Sequence, residues 1–150
     1  MRRILSKSKL VAFRQCPKRL WLEVHRPELR EDSAQAQAKF KAGNQVGDIA
    51  RRQYDPRNKG VLLDAQVEGF DAVFERTKRL LDANQPIFEA AFRTSEALAF
   101  ADVLLPVRKG GKRGWKMVEV KSATTVKDYH RDDAAIQVFI ARATGVPLLE

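Results

Sequence analysis

Cysteine is nearly absent from this sequence, since Cys16 is the single one in 150 residues. One cysteine cannot form an internal disulfide or supply the several thiolates of a zinc or iron–sulfur site, so we expect neither from this chain alone. The lack of a cysteine framework fits a reducing compartment. We therefore expect a cytoplasmic protein in which Cys16 is buried or structural.

Long apolar runs are also missing. No stretch approaches the roughly 18 residues that a helix needs to cross a bilayer, which excludes an integral membrane protein. Hydrophobic residues nevertheless make up 44% of the chain, an ordinary share for a globular protein, so intrinsic disorder is excluded as well. At this length we expect a single domain over residues 1–150.

Acidic residues are missing from two segments, 1–22 and 108–116, in a chain with 28 Lys and Arg against 19 Asp and Glu and a net charge of +9. Such basic clusters favour a polyanionic partner, with nucleic acid ahead of an anionic membrane surface. The alternative is a solvated face that keeps the protein soluble. The bases that we take as candidate DNA contacts are Arg14, Lys18, Arg19, Lys109, Lys112 and Arg113.

Hydrophobic spacing predicts helices in the first half of the chain and strands in the second. Helices are expected from Ser6, from Pro17, over about 34–54, over about 70–83 and over about 132–143. The last of these is expected to bury Ala135, Ile136, Phe139 and Ile140. Strands are expected over 87–92, 97–105 and 115–121, with the start of another in 146–149. This order predicts an α/β fold, a mixed sheet of three to four strands flanked by helices.

Three polar residues stand within the predicted apolar strands. Asp102 lies in the second strand, where an unpartnered carboxylate would be costly, and Glu119 and Lys121 share one face of the third. Gly110-Gly111 predicts a hairpin between these strands. A two-residue turn puts Asp102 opposite Glu119 and a four-residue loop puts it opposite Lys121, whereas an odd loop turns Asp102 to the other face.

This grouping of charges favours a metal site. Two carboxylates at cross-strand distance repel each other unless a cation lies between them, and Lys121 supplies one positive charge. A hard divalent ion with oxygen ligands would supply the rest, and Mg²⁺ fits best. Such an ion activates water for attack on a phosphodiester, and a lysine can orient that water or stabilise charge on the phosphate. The alternative is structural: a solvated Glu-x-Lys ion pair, with Asp102 bound to an arginine.

Five elements follow one another along the chain. They are the segments LSKSK (5–9) and QCPKRLW (15–21) taken together, Glu89, Asp102, the Glu119-x-Lys121 pair, and Gln137 in the last helix. Their order resembles the PD-(D/E)xK nuclease superfamily, and most closely its RecB-like branch, which includes CRISPR-associated exonucleases. The resemblance covers nearly the whole chain.

The resemblance implies a restriction-endonuclease-like core that hydrolyses DNA with Mg²⁺ or Mn²⁺. It implies metal ligation by Asp102, Glu119 and Glu89. It implies catalytic roles for Asp102, Glu119, Lys121 and Gln137. No iron–sulfur cluster is expected, because the C-terminal cysteines that accompany the Cys16 position in some relatives are missing.

The sequence departs from the family pattern at three points. Segment 43–48 has no histidine where many relatives carry a metal ligand, Ala141 replaces the tyrosine of the Gln-x-x-x-Tyr helix, and 146–149 stops where the family core has a further strand. We therefore expect a fragment of a longer protein, with a further C-terminal domain or a protein partner. The alternative to a nuclease is a module of the same fold with a weak or incomplete site, which binds nucleic acid or a nuclease partner.

Overall fold

The computed structural model describes residues 4–31 and 34–150. Among these residues the helices are α1 (Lys7–Gln15), α2 (Pro17–His25), α3 (Ala34–Tyr54), α4 (Ala65–Glu68), α5 (Phe70–Ala83) and α6 (Asp128–Ala143), with a 3₁₀ turn at Pro27–Leu29. The strands are β1 (Leu5–Ser6), β2 (Val61–Leu62), β3 (Ile87–Arg93), β4 (Ala97–Lys109) and β5 (Lys112–Val118). The fold is α/β, with a mixed sheet flanked by helices, as the sequence predicts, but the sheet has five strands among the described residues instead of three to four.

The long strand β4 organises the sheet. One edge of β4 pairs with β3 in antiparallel register, and β3 in turn pairs with β2 in parallel. The other edge is shared: β1 lies parallel to its first residues, with Ser6 opposite Leu98, and β5 lies antiparallel to its second half, with Val118 opposite Val103. A gap between Leu98 and Val103 therefore separates β1 and β5 along this edge.

The hydrophobic core lies where α5 and α6 pack on the sheet. The side chains of Ile87, Leu104 and Ile140 are almost completely buried there, and burial of each contributes about 1.5–3 kcal/mol. The Thr77 hydroxyl on α5 accepts a hydrogen bond from the Ala91 backbone N–H of β3 at 3.0 Å. This contact satisfies a buried polar group and joins helix to sheet.

The hairpin between β4 and β5 has the two-residue turn. Gly110 and Gly111 have φ angles of 55° and 77°, the left-handed backbone that a tight hairpin turn of this kind requires and that glycine adopts without strain. The pairs Lys109–Lys112 and Val103–Val118 follow from that turn. Of the two even-loop registers, the structure therefore has the one that aligns position 102 with position 119.

The predicted bounds of α3 and α5 are confirmed, but those of α6 and β5 are wrong. Helix α6 begins at Asp128 instead of about 132, and β5 ends at Val118, so Glu119 and Lys121 follow the strand instead of lying in it. Phe139 was predicted to be buried and is 72% exposed, while Asp133 and Gln137 are buried. Asp133 and Gln137 face inward because they bind Lys121 and Glu119, which lie beneath the helix just after β5.

Two short strands and a junction also differ from expectation. Strands β1 and β2 have two residues each and exist through pairing with distant parts of the chain, so no local periodicity marks them. Cys16 was expected to be buried or structural; it is exposed, at the junction of α1 and α2. The junction is held by backbone hydrogen bonds, including Cys16 N–H to the Ala12 carbonyl at 2.9 Å.

The C-terminal segment runs parallel to β5 through a single bridge, Trp115 with Leu148, in the described part of the chain. The Trp115 N–H donates to the Pro147 carbonyl at 2.9 Å, and the Leu149 N–H donates to the Trp115 carbonyl at 2.9 Å. A Cβ on Gly114 would lie 2.4 Å from the Pro147 carbonyl oxygen. Glycine at this position therefore permits the close approach of the two backbones.

Candidate active site

Three carboxylates line up across neighbouring strands; we call Glu89, Asp102 and Glu119 the carboxylate row. The β3–β4 pairs on both sides of Glu89 keep one register, which places Glu89 opposite Asp102. The last β4–β5 pair is Val103 with Val118, so Glu119 comes next to Asp102 as the chain leaves β5. Strand register thus gathers residues from three separate parts of the sequence.

The carboxylate row lines a cavity of about 860 Å³. The wall also includes Lys7 from α1, Lys121 from the segment after β5, and residues of α3. The sequence-predicted residues Glu89, Asp102, Glu119 and Lys121 therefore meet in one place. A ligand that enters this cavity meets acidic and basic groups together.

Glu89 interrupts β3. Its φ of 58° is in the left-handed region, which costs a residue other than glycine about 1–3 kcal/mol. Between the buried Phe88 and Ala90, its side chain stays accessible to solvent in part, while the cavity wall desolvates the carboxyl group. The distortion breaks the alternation of β3 at the point where it meets Asp102. Strain of this kind persists where the surrounding structure enforces it, here in a strand paired on both sides with β4 and β2.

Asp102 fixes the direction in which the chain leaves β5. Its Oδ2 accepts a hydrogen bond from the Val120 backbone N–H at 2.6 Å. This bond replaces the next rung of the β4–β5 ladder and holds the segment that carries Glu119 and Lys121. The side chains of Glu119 and Lys121 therefore lie close together even though β5 has ended at Val118.

Glu119 is surrounded by donors. Lys7 Nζ lies 3.3 Å from its Oε1, Lys121 Nζ donates to the same oxygen, and Gln137 Nε2 donates to Oε2. Asp133 joins the group, since it receives Lys121 Nζ and lies 3.0 Å from Lys7 Nζ. We call Lys7, Glu119, Lys121 and Asp133 the ion cluster; it balances two positive and two negative charges.

Helix α6 supplies Asp133 and Gln137 from one face, because residues four apart lie one turn above each other. Gln137 is 0% exposed, and its Oε1 has no hydrogen-bond partner among the described residues. The buried amide holds Glu119 from below the sheet edge. Gln137 therefore lies next to Glu119 at the candidate site, as predicted.

Sequence reasoning did not select Lys7 and Asp133 as site residues. Asp133 carried one signal, its spacing of four from Gln137. Lys7 carried one as well, its place in the N-terminal motif. Neither signal contains a distance, and both residues reach Glu119 through tertiary contacts.

Burial and charge shift the pKa values in opposite directions across the site. Desolvation, helped by repulsion from Asp102, raises the pKa of Glu89 from 4.5 to about 7. Desolvation and Asp102 also raise the pKa of Glu119, although Lys7 and Lys121 oppose the shift. Desolvation lowers the pKa of Lys121, but hydrogen bonds to Asp133 and Glu119 outweigh this effect and raise the pKa above its ordinary value. Hydrogen bonding to Lys121, with the charge of Lys7, outweighs burial and lowers the pKa of Asp133.

The carboxylate row has the donor chemistry for Mg²⁺ or Mn²⁺, since all of its ligand atoms are oxygens. Desolvation, with repulsion from Asp102 as the second cause, raises the pKa values of Glu89 and Glu119, and a bound cation would oppose both effects. In the parts of the chain that the structure describes, however, no three His, Cys, Asp or Glu side chains are grouped closely enough to hold a metal ion. Glu119 is instead bonded to two lysines and an amide.

None of the six candidate DNA contacts is among the described residues that line the cavity. Arg14 pairs with Asp132 at 3.3 Å, Arg19 with Glu23 at 2.9 Å and Lys109 with Glu150 at 3.6 Å. Lys18, Lys112 and Arg113 are exposed. Arg2 and Arg3 of the N-terminal basic segment lie outside the described residues.

The hairpin bases lie at a distance from the carboxylates. Lys109 is seven residues beyond Asp102 along β4, which corresponds to about 23 Å at the usual rise of a strand. The bases at the hairpin tip therefore form a surface separate from the cavity. A long polyanion could touch both.

Comparison with protein-family models, with curated proteins and with solved structures found no match to this chain. Within residues 4–31 and 34–150, no helix combines the length and the apolar character that crossing a bilayer needs.

Proposed function

We propose that this chain is a metal-dependent nuclease with a restriction-endonuclease-like core, which hydrolyses DNA phosphodiester bonds with Mg²⁺ or Mn²⁺. One observation carries the proposal: Asp102, Glu119 and Lys121 line a single cavity because the two-residue hairpin turn aligns position 102 with position 119. Two acids and a lysine beside a phosphodiester are a suitable set for metal-assisted hydrolysis.

The carboxylate row would supply oxygen ligands to the metal ion once Glu119 exchanges its lysine partners for it, because the three side chains are not grouped closely enough to hold an ion as they lie among the described residues. When bound, such an ion lowers the pKa of a water molecule and neutralises charge on the phosphoryl oxygens. Glu89 takes the place of the histidine that many members of the family carry. Its pKa is raised to about 7, so near neutral pH a cation would compete with a proton for this carboxyl group.

Lys121 is the residue that acts on the reacting atoms. Its ammonium group stays charged, because Asp133 and Glu119 hold its pKa above the ordinary value. In that state it donates hydrogen bonds to the attacking water or to a phosphoryl oxygen and stabilises negative charge as the phosphorus–oxygen bond breaks. Asp133 positions Lys121 from α6.

Gln137 and Lys7 position Glu119. Gln137 donates to Oε2 from a fully buried place on α6, and Lys7 lies near Oε1 from the start of α1. Together they restrict the rotation of the Glu119 carboxylate. Pre-organised side chains of this kind reduce the rearrangement that catalysis requires.

A second candidate function is favoured by the bonding of Glu119. Because Lys7, Lys121 and Gln137 already bind this carboxylate, a metal ion would have to displace a lysine before it could bind Glu119. A protein in which this displacement is unfavourable would be a catalytically weak module that holds DNA, or a nuclease partner, through its basic surfaces. Its net charge of +9 is compatible with this role.

Two measurements on the same variants test the proposal. Mn²⁺ binding is followed by titration calorimetry, and cleavage of single- and double-stranded oligonucleotides is followed with and without EDTA. Lys121→Met should reduce cleavage by about 100-fold or more and retain Mn²⁺ binding, while Glu119→Gln should impair both. Glu75→Gln, at an exposed acid on α5 outside the cavity, is the matched control and should change neither.

The outcomes separate the two functions. Metal-dependent cleavage by the wild type that Lys121→Met abolishes supports the nuclease. Salt-dependent DNA binding without cleavage and without Mn²⁺ uptake supports the binding module. Equal cleavage by the wild type and both site variants would remove the catalytic proposal.

A further inference from the structure

Two aromatic rings belong to the same cavity as the carboxylate row. Phe70, the first residue of α5, and Phe100 of β4 both line it. Their ring centroids are 6.1 Å apart and the planes meet at 72°, an edge-to-face contact. Phe70 is 57% exposed, so much of its surface is open to solvent at the cavity.

The strand places these rings next to the reacting centre. Phe100 and Asp102 are two residues apart on β4, so their side chains point to the same face about 6.5 Å apart along the strand. Phe100 also packs on Phe74 of α5, with centroids 6.2 Å apart, and this fixes its position. Phe70 is then the ring that remains open to a ligand.

Other parts of the cavity wall carry charged groups instead of aromatic rings. Lys7, Arg51 and Lys121 contribute cationic groups to it. One cavity therefore offers a flat apolar surface within a short distance of three cationic donors, each of which is paired with a carboxylate that an anionic ligand would have to replace. A nucleotide combines the complementary features, a flat base and an anionic phosphate.

The wall formed by α3 leaves room for a planar group. Gly43 and Gly47 lie one helical turn apart and both line the cavity. A Cβ added to either would meet no atom of the described residues within 4 Å. Neither glycine has the positive φ that would explain its presence by backbone conformation.

We propose that Phe70, supported by Phe100, stacks on an unpaired nucleobase next to the phosphodiester at the carboxylate row. The inference rests on the proposed function in one respect, since that function places the phosphodiester there. Bases inside a duplex are covered on both faces, so an exposed ring can stack on a base that is unpaired or terminal. The cavity would thereby select a single-stranded segment or a frayed end.

Binding without cleavage provides the test. The affinity of the full chain for a 12-residue oligodeoxythymidine and for the same strand with abasic sites is measured by fluorescence anisotropy in EDTA. The two probes carry the same phosphates and differ in their bases. The wild type should bind the strand with bases about tenfold more tightly, in the range found for one aromatic–base stack.

Variants assign the preference to Phe70. Phe70→Ala should lose the tenfold preference and keep its affinity for the abasic strand, while Phe70→Trp should retain the preference. Phe139→Ala removes an exposed phenylalanine of α6 outside the cavity and is the matched control, expected to behave as wild type. Thermal unfolding of each variant checks that it folds.

Two results would overturn the inference. One is equal affinity of the wild type for both probes, a result that needs no variant to fold. The other is a preference that survives in Phe70→Ala or disappears in Phe139→Ala. Because these measurements need neither metal nor cleavage, a protein that stacks on bases but never cleaves would contradict the nuclease proposal alone.

Discussion

Lys7 Nζ lies 3.3 Å from Glu119 Oε1, although 112 residues separate them in the chain. The contact forms because β1 and β5 share one edge of β4. Strand β1 ends opposite Leu98 and β5 ends opposite Val103, so the residues that follow them enter the same gap from opposite sides. The N-terminal helix is thereby joined to the candidate active site.

Removal of the Lys7 charge should destabilise the protein. Lys7→Met leaves two largely buried carboxylates, Glu119 and Asp133, with one ammonium group between them, and we expect a loss of about 1–3 kcal/mol. The melting temperature at pH 7.5 should fall by about 2–10 °C, and Lys7→Arg should restore most of it. Lys9→Met, a change of charge on the same helix, is the control. Equal melting temperatures for the Lys7→Met and Lys9→Met variants would show that the ion cluster does not depend on Lys7.

The pKa of Glu89 predicts a pH dependence of stability in the metal-free protein. Because it is raised from 4.5 to about 7, the folded chain keeps a proton that the unfolded chain has released, and stability falls as the pH rises between these values. Glu89→Gln removes this loss. We expect its melting temperature in EDTA to equal that of the wild type at pH 4 and to exceed it at pH 8 by about 2–4 °C. That shift corresponds to about 1 kcal/mol, a discounted value since the side chain is partly solvated.

The comparison at two pH values is what makes this test specific. Asp82→Asn, at an exposed position on α5, should leave the difference between pH 4 and pH 8 as it is in the wild type. A Glu89→Gln variant that is stabilised equally at both pH values would point to relief of backbone or packing strain instead of the carboxyl proton.

Gly47 offers a way to fill the cavity without disturbing the core. Its Cβ position is open to 4 Å among the described residues, and replacement of glycine within a helix stabilises the helix by up to about 1 kcal/mol. Gly47→Leu should therefore keep or raise the melting temperature while it weakens oligonucleotide binding, and Gly47→Ala should stabilise with a smaller effect on binding. Unchanged affinity in the leucine variant would mean that the ligand does not approach this wall.

Gly114 predicts the opposite response. A methyl group there would lie 2.4 Å from the Pro147 carbonyl oxygen and 2.6 Å from Leu149 Cγ, so Gly114→Ala must push the C-terminal segment away from β5. We expect a loss of about 1–3 kcal/mol, measured by denaturant unfolding. Gly43→Ala is the control and should not destabilise. Full stability of the Gly114→Ala variant would mean that the C-terminal segment contributes little to the fold.

Local patterns predicted much of the fold. The hydrophobic spacing within α3 and α5 and the glycine pair of the β4–β5 turn are properties of neighbouring residues, and each of these predictions is confirmed. The turn also determines which residues of β4 and β5 face each other. The alignment of Asp102 with Glu119 was therefore predictable as one of two even registers.

The remaining features required the tertiary structure. Strands β1 and β2 are too short for a periodic pattern, and the buried face of α6 combines the polar Asp133 and Gln137, which meet Glu119 and Lys121, with the apolar Ile140 and Ala141. For this reason Phe139 was assigned to the core and Asp133 was not assigned to the site. The left-handed backbone of Glu89 has no local signature either, since glutamate does not favour it.

The sequence by itself determined the α/β class, the positive charge and the set of residues, Glu89, Asp102, Glu119, Lys121 and Gln137, from which a site could be built. The class and the charge depend on composition and periodicity, and Asp102, Glu119 and Lys121 depend on spacing within the predicted hairpin. Glu89 and Gln137 depend on the resemblance to a nuclease family. The tertiary structure decided that Lys7 and Asp133 complete the ion cluster and that Phe70 and Phe100 share its cavity. Such contacts form between segments that are far apart in sequence, where burial and pairing with β4, and not local propensity, set the distances.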